Sequence, residues 1–495
     1  MGVTVASREG ATAEPYAEVR ETHTAVVFAV GDRVYKLKKP VDLGFLDFTT
    51  RERRLAACRR EVDLNRRIAP DVYLGVADVT GPDGALADHL VVMRRMPPDR
   101  RLATLVRQGV PVEADLRRLA RMVAALHAAS PHAPEISAQG SAQAVLGRWR
   151  DSFAQVRPFR GEVLDDELVG EIERLTEDFL SGRRPLFDDR IATERIVDGH
   201  GDLLAEDVFC LDDGPRVLDC IEFDDRLRWL DGLDDAAFLA MDLERLGAPH
   251  LAERFLNWYV EFAADPAPAS LRHHYVAYRA FVRAKVACLR HAQSGDPSAA
   301  RDAATHTALT ARHLRAGEVV LILVGGLPGT GKSTLAGRLA DRLGAVLLRS
   351  DRLRKELSGI APETPAAAPY GEGIYGAEWT ERTYRELLAR AERLLGHGES
   401  VVIDASWTRD AHRRAAAETA ARTHSRLVQL RCEAAPEVAA ARLRERARDV
   451  SDADERIAAA MAVHADPWPQ AHTIRTDRTP DRSVAEAAAL ARPVQ

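Results

Sequence analysis

Residues 24 to 38, TAVVFAVGDRVYKLK, form two apolar runs around Gly31-Asp32, with period-two alternation in VYKLK. This predicts two β-strands joined by a tight turn. Residues 50 to 68 read as a charged amphipathic helix stopped near Pro70, and HLVVMRRM, from His89, as a buried strand ending at Pro97-Pro98. LRRLARMVAALHAAS predicts a further helix. VFCLDD and RVLDCIEF flank Asp213-Gly214 and predict a second hairpin. From Asp231 to about His291 the pattern is helical.

Residues 293 to 317 lack large apolar side chains in their first half and become weakly helical later, so a linker is expected there. Beyond it, VVLILVGGL is a continuous apolar run, the signature of a strand buried on both faces of a parallel sheet. AVLLRS, SVVIDAS and RLVQLRC then alternate with helical stretches, the rhythm of a three-layer α/β domain. The expected domains are therefore 1–292 and 318–495.

Composition narrows the class. With 46% apolar and 29% charged residues and a formal net charge of −6, the 495-residue chain reads as globular. It has no global pull toward nucleic acid or anionic membrane. No apolar run approaches a bilayer span, and the first twenty residues carry charges where a signal peptide needs an apolar segment. Five widely spaced cysteines, Cys58, Cys210, Cys220, Cys288 and Cys432, contain no C-x-x-C pair. They predict neither a disulfide framework nor a zinc site, and the expected location is the cytoplasm. Only six lysines occur, against 63 arginines. A retained lysine points to a site that wants a compact ammonium, and three of the six lie in YKLKKP.

Gly326, Leu327, Pro328, Gly329, Thr330, Gly331, Lys332, Ser333 and Thr334 fit G-x-x-x-x-G-K-[ST] between a buried strand and a helix. The glycines let backbone N–H groups converge on phosphate oxygens, and the helix aims its positive end at them. Lys332 would reach the β/γ-phosphates and Ser333 would ligate Mg²⁺. Asp404 ends the strand VVID, where a metal-orienting carboxylate belongs. Asp351 follows AVLLRS at a carboxyl edge, placed to accept a proton from a substrate hydroxyl. Arg442 and Arg446, i and i+4 in ARLRERARD, with Arg448, are candidates for a lid over the phosphates.

On these residues the C-terminal half resembles the small P-loop kinases, the group of gluconate, shikimate, polynucleotide 5′- and zeta-toxin-like kinases. The resemblance implies a parallel sheet, a mobile lid and transfer of a γ-phosphoryl group to a hydroxyl. It also puts Asp351 near the acceptor, and the nearby Arg354 is a candidate acceptor contact.

In the N-terminal half, DGHGDLLAEDVF (198–209) and VLDCIEF (217–223) set two carboxylates on loops near strand ends, separated by a short hairpin. That arrangement suits phosphoryl transfer, one orienting the hydroxyl and the other holding Mg²⁺. These segments resemble the aminoglycoside phosphotransferase family, small-molecule relatives of protein kinases. The family pattern H-x-D-x-x-x-x-N falls on His200, Asp202 and Asp207, with Asp where the family has Asn. The resemblance implies Asp202 as catalytic base, His200 as loop support, and Asp207 and Asp219 as metal ligands assisted by Glu222. It makes Lys36 the phosphate-gripping lysine, with Lys38 as the alternative, and Glu61 its ion-pair partner. VVMRRM would be the adenine hinge, and Leu126-His127 would end the family helix. No glycine-rich loop precedes Lys36, and Thr22 and Thr24 stand in its place.

The expected fold is thus an α+β protein-kinase-like domain joined to an α/β three-layer P-loop NTPase domain, and the whole chain resembles bacterial fusions of this pairing. The expected function is a bifunctional ATP- and Mg²⁺-dependent kinase that phosphorylates a small hydroxylated molecule such as a sugar, amino sugar or aminoglycoside. No membrane or nucleic-acid partner is expected. One alternative makes the kinase-like domain a ligand sensor that gates the P-loop ATPase. A polynucleotide 5′-kinase would need a basic groove with stacking aromatics, which the sequence does not show, and zeta-toxin-like phosphorylation of nucleotide sugars stays open.

Overall fold

A computed structural model describes residues 17–22, 24–42, 46–361, 364, 372–445 and 455–492. The chain forms two compact units, one of residues 1–136 and 197–265 and the other of residues 137–196 and 266–495. These boundaries differ from the expected 292/318 division.

In the first unit, strands β1 (Ala17–Glu21), β2 (Ala25–Val30), β3 (Arg33–Lys38), β4 (Tyr73–Thr80) and β5 (Leu86–Arg94) form an antiparallel sheet ordered β1-β2-β3-β5-β4. The hairpin at Gly31-Asp32 is present, with Gly31 at φ 59°. The helix Arg51–Arg66 is capped by Thr50, whose side chain accepts the Arg53 N–H, and it packs on β4 and β5. Its Cys58 and Val62 join Tyr73, Val91 and Met93 in one apolar cluster. Strands β1 and β4 lie outside the sequence expectation. β4 is half-buried, with Leu74 exposed and a bulge between Tyr73 and Gly75, so its alternation is blurred.

The remaining short strands are β6 (Ile196–Asp198), β7 (Val208–Leu211), β8 (Gly214–Val217) and β9 (Trp229–Asp231). β7 and β8 form the expected hairpin, and β6 pairs with β9. The helix Gly232–Arg245 is buried continuously from Gly232 to Leu243, including Asp234, Asp235 and Asp242. Carboxylates enter such an interior only when hydrogen-bonded or paired, and Asp235 and Asp242 serve the site described below.

In the second unit, β10 (Val320–Gly325), β11 (Val346–Arg349), β12 (Val401–Asp404), β13 (Arg426–Glu433) and β14 (His472–Arg475) form a fully parallel sheet ordered β11-β12-β10-β13-β14. β10 is buried along its whole length. Leu321 and Leu323 join one apolar layer with Leu387 and Ile403, and Val320, Ile322 and Val324 join the opposite layer with Leu335 and Val484. The period of two sorts one apolar run into two cores, which makes the three layers.

The expected linker carries the helix Pro297–Ala316, packed along Ala269–Ser294. Asp296 caps it, and Ala299, Ala303, Thr307 and Ala311 are buried. Small side chains let two helices approach closely, which is why the first half of this helix carries no large apolar residue, Leu309 and Leu314 coming only later.

Candidate active sites

Lys36 and Lys38 sit two residues apart on one face of β3 and meet Glu61 from the helix beneath. Glu61 Oε1 is 3.0 Å from Lys36 Nζ and Oε2 is 2.6 Å from Lys38 Nζ. Burial works against the Glu61 charge, but the two ammonium groups outweigh it and hold the carboxyl below its ordinary range. Lys36 also lies 2.7 Å from Asp219 Oδ1, whereas Lys38 pairs with Glu222. The structure therefore separates the two lysines. Lys38 is 1% exposed and closed off, and Lys36 faces the half-exposed Asp219.

Asp219 holds a left-handed φ of 66°, sparsely populated by non-glycine residues. Two side chains fix it. The Asp219 N–H donates to the Tyr73 hydroxyl at 3.0 Å, and the Cys220 N–H donates to Asn65 Oδ1 at 3.0 Å. Asn65 Nδ2 donates back to the Glu61 carbonyl at 2.8 Å, so one helix positions both the ion-pair partner and the Cys220 backbone.

The loop 200–205 is clamped from the buried helix. Asp235 accepts the backbone N–H groups of His200 (2.7 Å) and Gly201 (2.8 Å), and Asp242 accepts that of Ala205 (3.0 Å). These carboxylates are i and i+7, two turns apart on one helix face. Burial opposes the Asp235 charge, but His127, 3.0 Å away, and the His200 backbone hold its carboxyl well below the usual range. His127 also reaches the Tyr259 hydroxyl at 2.9 Å. His200 Nε2 bonds the Leu218 carbonyl at 2.9 Å, and its Nδ1 accepts the Asp202 N–H at 3.3 Å. His200 thus ties the Asp202 loop to the Asp219 strand.

Asp202, Asp207 and Asp219 interact electrostatically. Burial, together with Asp219 and Asp202, pushes the Asp207 carboxyl well above its ordinary range. A carboxyl that keeps its proton is neutral and nearly isosteric with asparagine, which bears on the departure from the family pattern at this position. The same crowding of negative charge fits a divalent cation, which binds through one or two carboxylates with phosphate oxygens completing its shell.

In the second unit the phosphate loop leads from β10 into the helix Lys332–Leu343, with Gly331 as its N-cap at φ 79°. Gly329, at φ 82°, passes so close to the helix Pro436–Arg444 that a Cβ there would lie 2.6 Å from the Ala439 carbonyl oxygen. Inside the loop, Thr330 donates through Oγ1 to the Leu327 carbonyl at 2.7 Å, and its own carbonyl accepts Thr476 Oγ1 at 2.6 Å.

Asp404, at the carboxyl end of β12, interacts with Ser333 and Lys332. Its Oδ1 is buried without a hydrogen-bond partner. Burial pushes its carboxyl up, Lys332 and Ser333 pull the other way, and Asp351 adds to the rise. An orphaned carboxylate oxygen beside the loop serine is the donor set that Mg²⁺ takes beside a phosphate chain, so Ser333 and Asp404 fit this ion.

The arginines divide. Arg442 lies over the loop, with Nη2 donating to the Thr476 carbonyl at 2.7 Å and Nη1 buried without a partner. Arg446 and Arg448 lie outside the described residues. Arg354 Nη1 donates to the Ile374 carbonyl (2.8 Å) and Thr380 Oγ1 (3.2 Å), and the guanidinium lies over Tyr375, while its Nε is buried without a partner. Thr22 is tied into its turn, its Oγ1 accepting the Ala25 N–H at 3.0 Å.

Sequence reasoning missed Asp235, Asp242, Tyr73, Arg349 and Thr476. Arg349 Nε is 3.9 Å from Asp404 Oδ2. Only Asp235 and Asp242, seven apart within the largely apolar run of this helix, carried a readable signal.

Residues 321–467 match the profile of the AAA domain family AAA_33. Among solved structures, a choline/ethanolamine kinase family protein from Mesorhizobium loti is 16% identical, covering 61% of this chain and 92% of that one at a TM-score of 0.38. A gluconokinase from Sinorhizobium meliloti 1021 is 20% identical, covering 36% and 94% at a TM-score of 0.26. Over 476 residues the chain is 45% identical to uncharacterized protein Rv2004c of Mycobacterium tuberculosis, covering 96% of this chain and 95% of that protein. Uncharacterized protein Mb2027c of Mycobacterium bovis matches to the same extent. With both halves spanned end to end by these relatives, the chain belongs to the family of the mycobacterial protein Rv2004c.

Proposed function

We propose that this protein is an ATP-dependent phosphotransferase that moves the γ-phosphoryl group to a hydroxyl of a small molecule, such as a sugar, amino sugar or aminoglycoside. The observation that carries the reading is the orphaned Asp404 Oδ1 beside Ser333 and Lys332 at the mouth of a left-handed glycine loop. The loop and the first turn of its helix offer N–H groups without intrahelical acceptors, and Lys332 adds a mobile positive charge. Asp351, within electrostatic reach of Asp404, would take the proton of an attacking hydroxyl. Mg²⁺, held by Ser333 and Asp404, would neutralise charge on the transferred group.

The kinase-like unit supports a second phosphotransfer site. There Lys36, released from Asp219 by a bound metal, would grip the phosphates while staying paired to Glu61, and Asp202 would orient the acceptor. The Asp235 and Asp242 clamps hold that loop in place before substrate arrives, as electrostatic positioning requires.

The test is transfer of labelled γ-phosphate from ATP to a panel of sugars, amino sugars, aminoglycosides and oligonucleotide 5′ ends. It compares the wild type with Asp202→Ala and Lys332→Ala, so that each activity is assigned to one unit. Transfer to a small hydroxylated acceptor supports the reading. Activity confined to oligonucleotide ends, or ATPase unchanged in both variants, would overturn it. Turnover that persists in Asp202→Ala but changes its regulation would instead favour a ligand-sensing role for the first unit.

A further inference from the structure

Away from both sites, the second unit contains a cavity of about 380 Å³. It lies among the helices Asp166–Gly182, Ala269–Ser294 and Pro297–Ala316 and the residues that lead into β13. Leu175, Phe179, Leu314 and Val319 give it apolar walls. Val319 immediately precedes β10, so the cavity sits at the opposite end of that strand from the phosphate loop.

Two almost fully buried polar side chains line it, His274 and Arg183, each 1% exposed. The His274 ring is stacked on Phe179 at 4.4 Å. Trp149 Nε1–H donates to His274 Nε2 at 3.3 Å, which puts the ring proton on Nδ1, and Nδ1 has no partner. Burial pushes the His274 pKa down to about 3, so the ring is neutral and Nδ1–H is a donor at physiological pH. Arg183 uses its Nη groups on the carbonyls of Gly182, Thr423 and His424 and on Ser425 Oγ. Its Nε–H is buried without an acceptor.

The acidic groups at the cavity are already engaged. Asp178 meets Arg174 at 3.4 Å and His424 at 3.3 Å, and Glu318 meets Arg426 at 3.0 Å. What is left unsatisfied is donors only, one of them on a guanidinium. A buried N–H left without an acceptor is destabilising, so two of them on residues that line one hollow are accounted for where an acceptor arrives. The volume falls within the ~300–1,000 Å³ of small-molecule pockets.

We propose that this cavity binds a small organic anion, its oxyanion accepting from His274 Nδ1–H and Arg183 Nε–H and its apolar body lying against Phe179 and Leu175. The strand that starts at its wall ends in the phosphate loop, so the cavity and the nucleotide site lie at opposite ends of β10 and an occupant does not compete with nucleotide.

Calorimetric titration of the full chain tests this, on a Lys332→Ala background so that the phosphate loop does not account for the heat. The probes are benzoate, phenyl phosphate and inorganic phosphate. Two variants report on the cavity: His274→Phe keeps the stacked ring but removes the donor, and Ala421→Trp fills the cavity from an exposed rim position. The expected result is saturable binding of benzoate or phenyl phosphate that weakens at least tenfold in both variants, the two probes separating a carboxylate from a phosphate headgroup. Absence of heat with all three probes, or heat that neither variant alters, would overturn the proposal. So would inorganic phosphate binding as tightly as the organic anions, because the apolar walls would then have no role.

Discussion

Glu61 stands between Lys36 and Lys38, one carboxylate oxygen 3.0 Å from the first ammonium and the other 2.6 Å from the second. One side chain thus balances two buried positive charges. Replacing it with alanine leaves Lys36 to Asp219 alone and Lys38 to Glu222 alone, and removing one partner from buried charges costs up to about 3–5 kcal/mol. Denaturant unfolding of Glu61→Ala is expected to show a loss of that order. Any Asp202-dependent transfer is expected to fall with it. Unchanged stability would mean that Asp219 and Glu222 suffice to balance the two lysines.

Asp202 and Asp207 predict opposite outcomes. Loss of the general base in Asp202→Ala is expected to slow transfer by the first unit by roughly 10²–10⁴-fold. Asp207→Asn exchanges a carboxyl already pushed toward its protonated form for a neutral isostere. It is expected to retain transfer. An Asp207→Asn protein as slow as Asp202→Ala would show that the charge at 207 is required.

In the phosphate loop, Lys332→Ala is expected to weaken nucleotide turnover sharply. Asp404→Asn is expected to abolish the preference for Mg-ATP over metal-free ATP in a binding titration, because the orphaned oxygen belongs to Asp404. Equal discrimination in wild type and variant would place the metal on other groups.

Gly329 and Gly344 both hold left-handed backbone, at φ 82° and 63°. A Cβ at Gly329 would collide with the Ala439 carbonyl, whereas at Gly344 nothing lies within 4 Å. Gly344→Ala is expected to lose only the ~1–2 kcal/mol of a left-handed residue and to keep nucleotide affinity. Gly329→Ala is expected to lose that affinity as well, and titration with ATP distinguishes the two.

The His274 ring is held neutral, with a folded pKa of about 3 against an ordinary 6.5. The unfolded chain therefore takes up a proton first. The stability this site contributes is complete above pH 6.5 and drains away as the pH falls toward 3, at up to ~1.4 kcal/mol per pH unit. Melting curves across that window are expected to show the decline in wild type and a shallower one in His274→Phe. Parallel curves would assign the acid sensitivity to other groups.

Local rules made much of the molecule readable in advance. The turn at Gly31-Asp32, the hairpin at Asp213-Gly214 and the apolar run of β10 depend on neighbours within a few residues. So does the phosphate loop, since a backbone nest needs only its own glycines and the helix that follows. Lys36, Glu61, Asp202 and Asp219 were reachable through the family resemblance, which also paired Lys36 with Glu61, whereas the Lys36–Asp219 contact was not foreseen.

Tertiary packing decided the rest. Lys36 and Lys38 are equivalent on their strand until Glu222 and Asp219, more than 180 residues away, close off one and leave the other facing the site. The helix Pro297–Ala316 looked like a linker because alanine gives little apolar signal until a second helix lies against it. Asp235 and Asp242 read as two acids on a helix, and only burial against the loop turns them into acceptors for its N–H groups. A sequence states which groups a chain carries. Long-range contact and the loss of water around them decide which of those groups keep a charge, a proton or an open hydrogen bond.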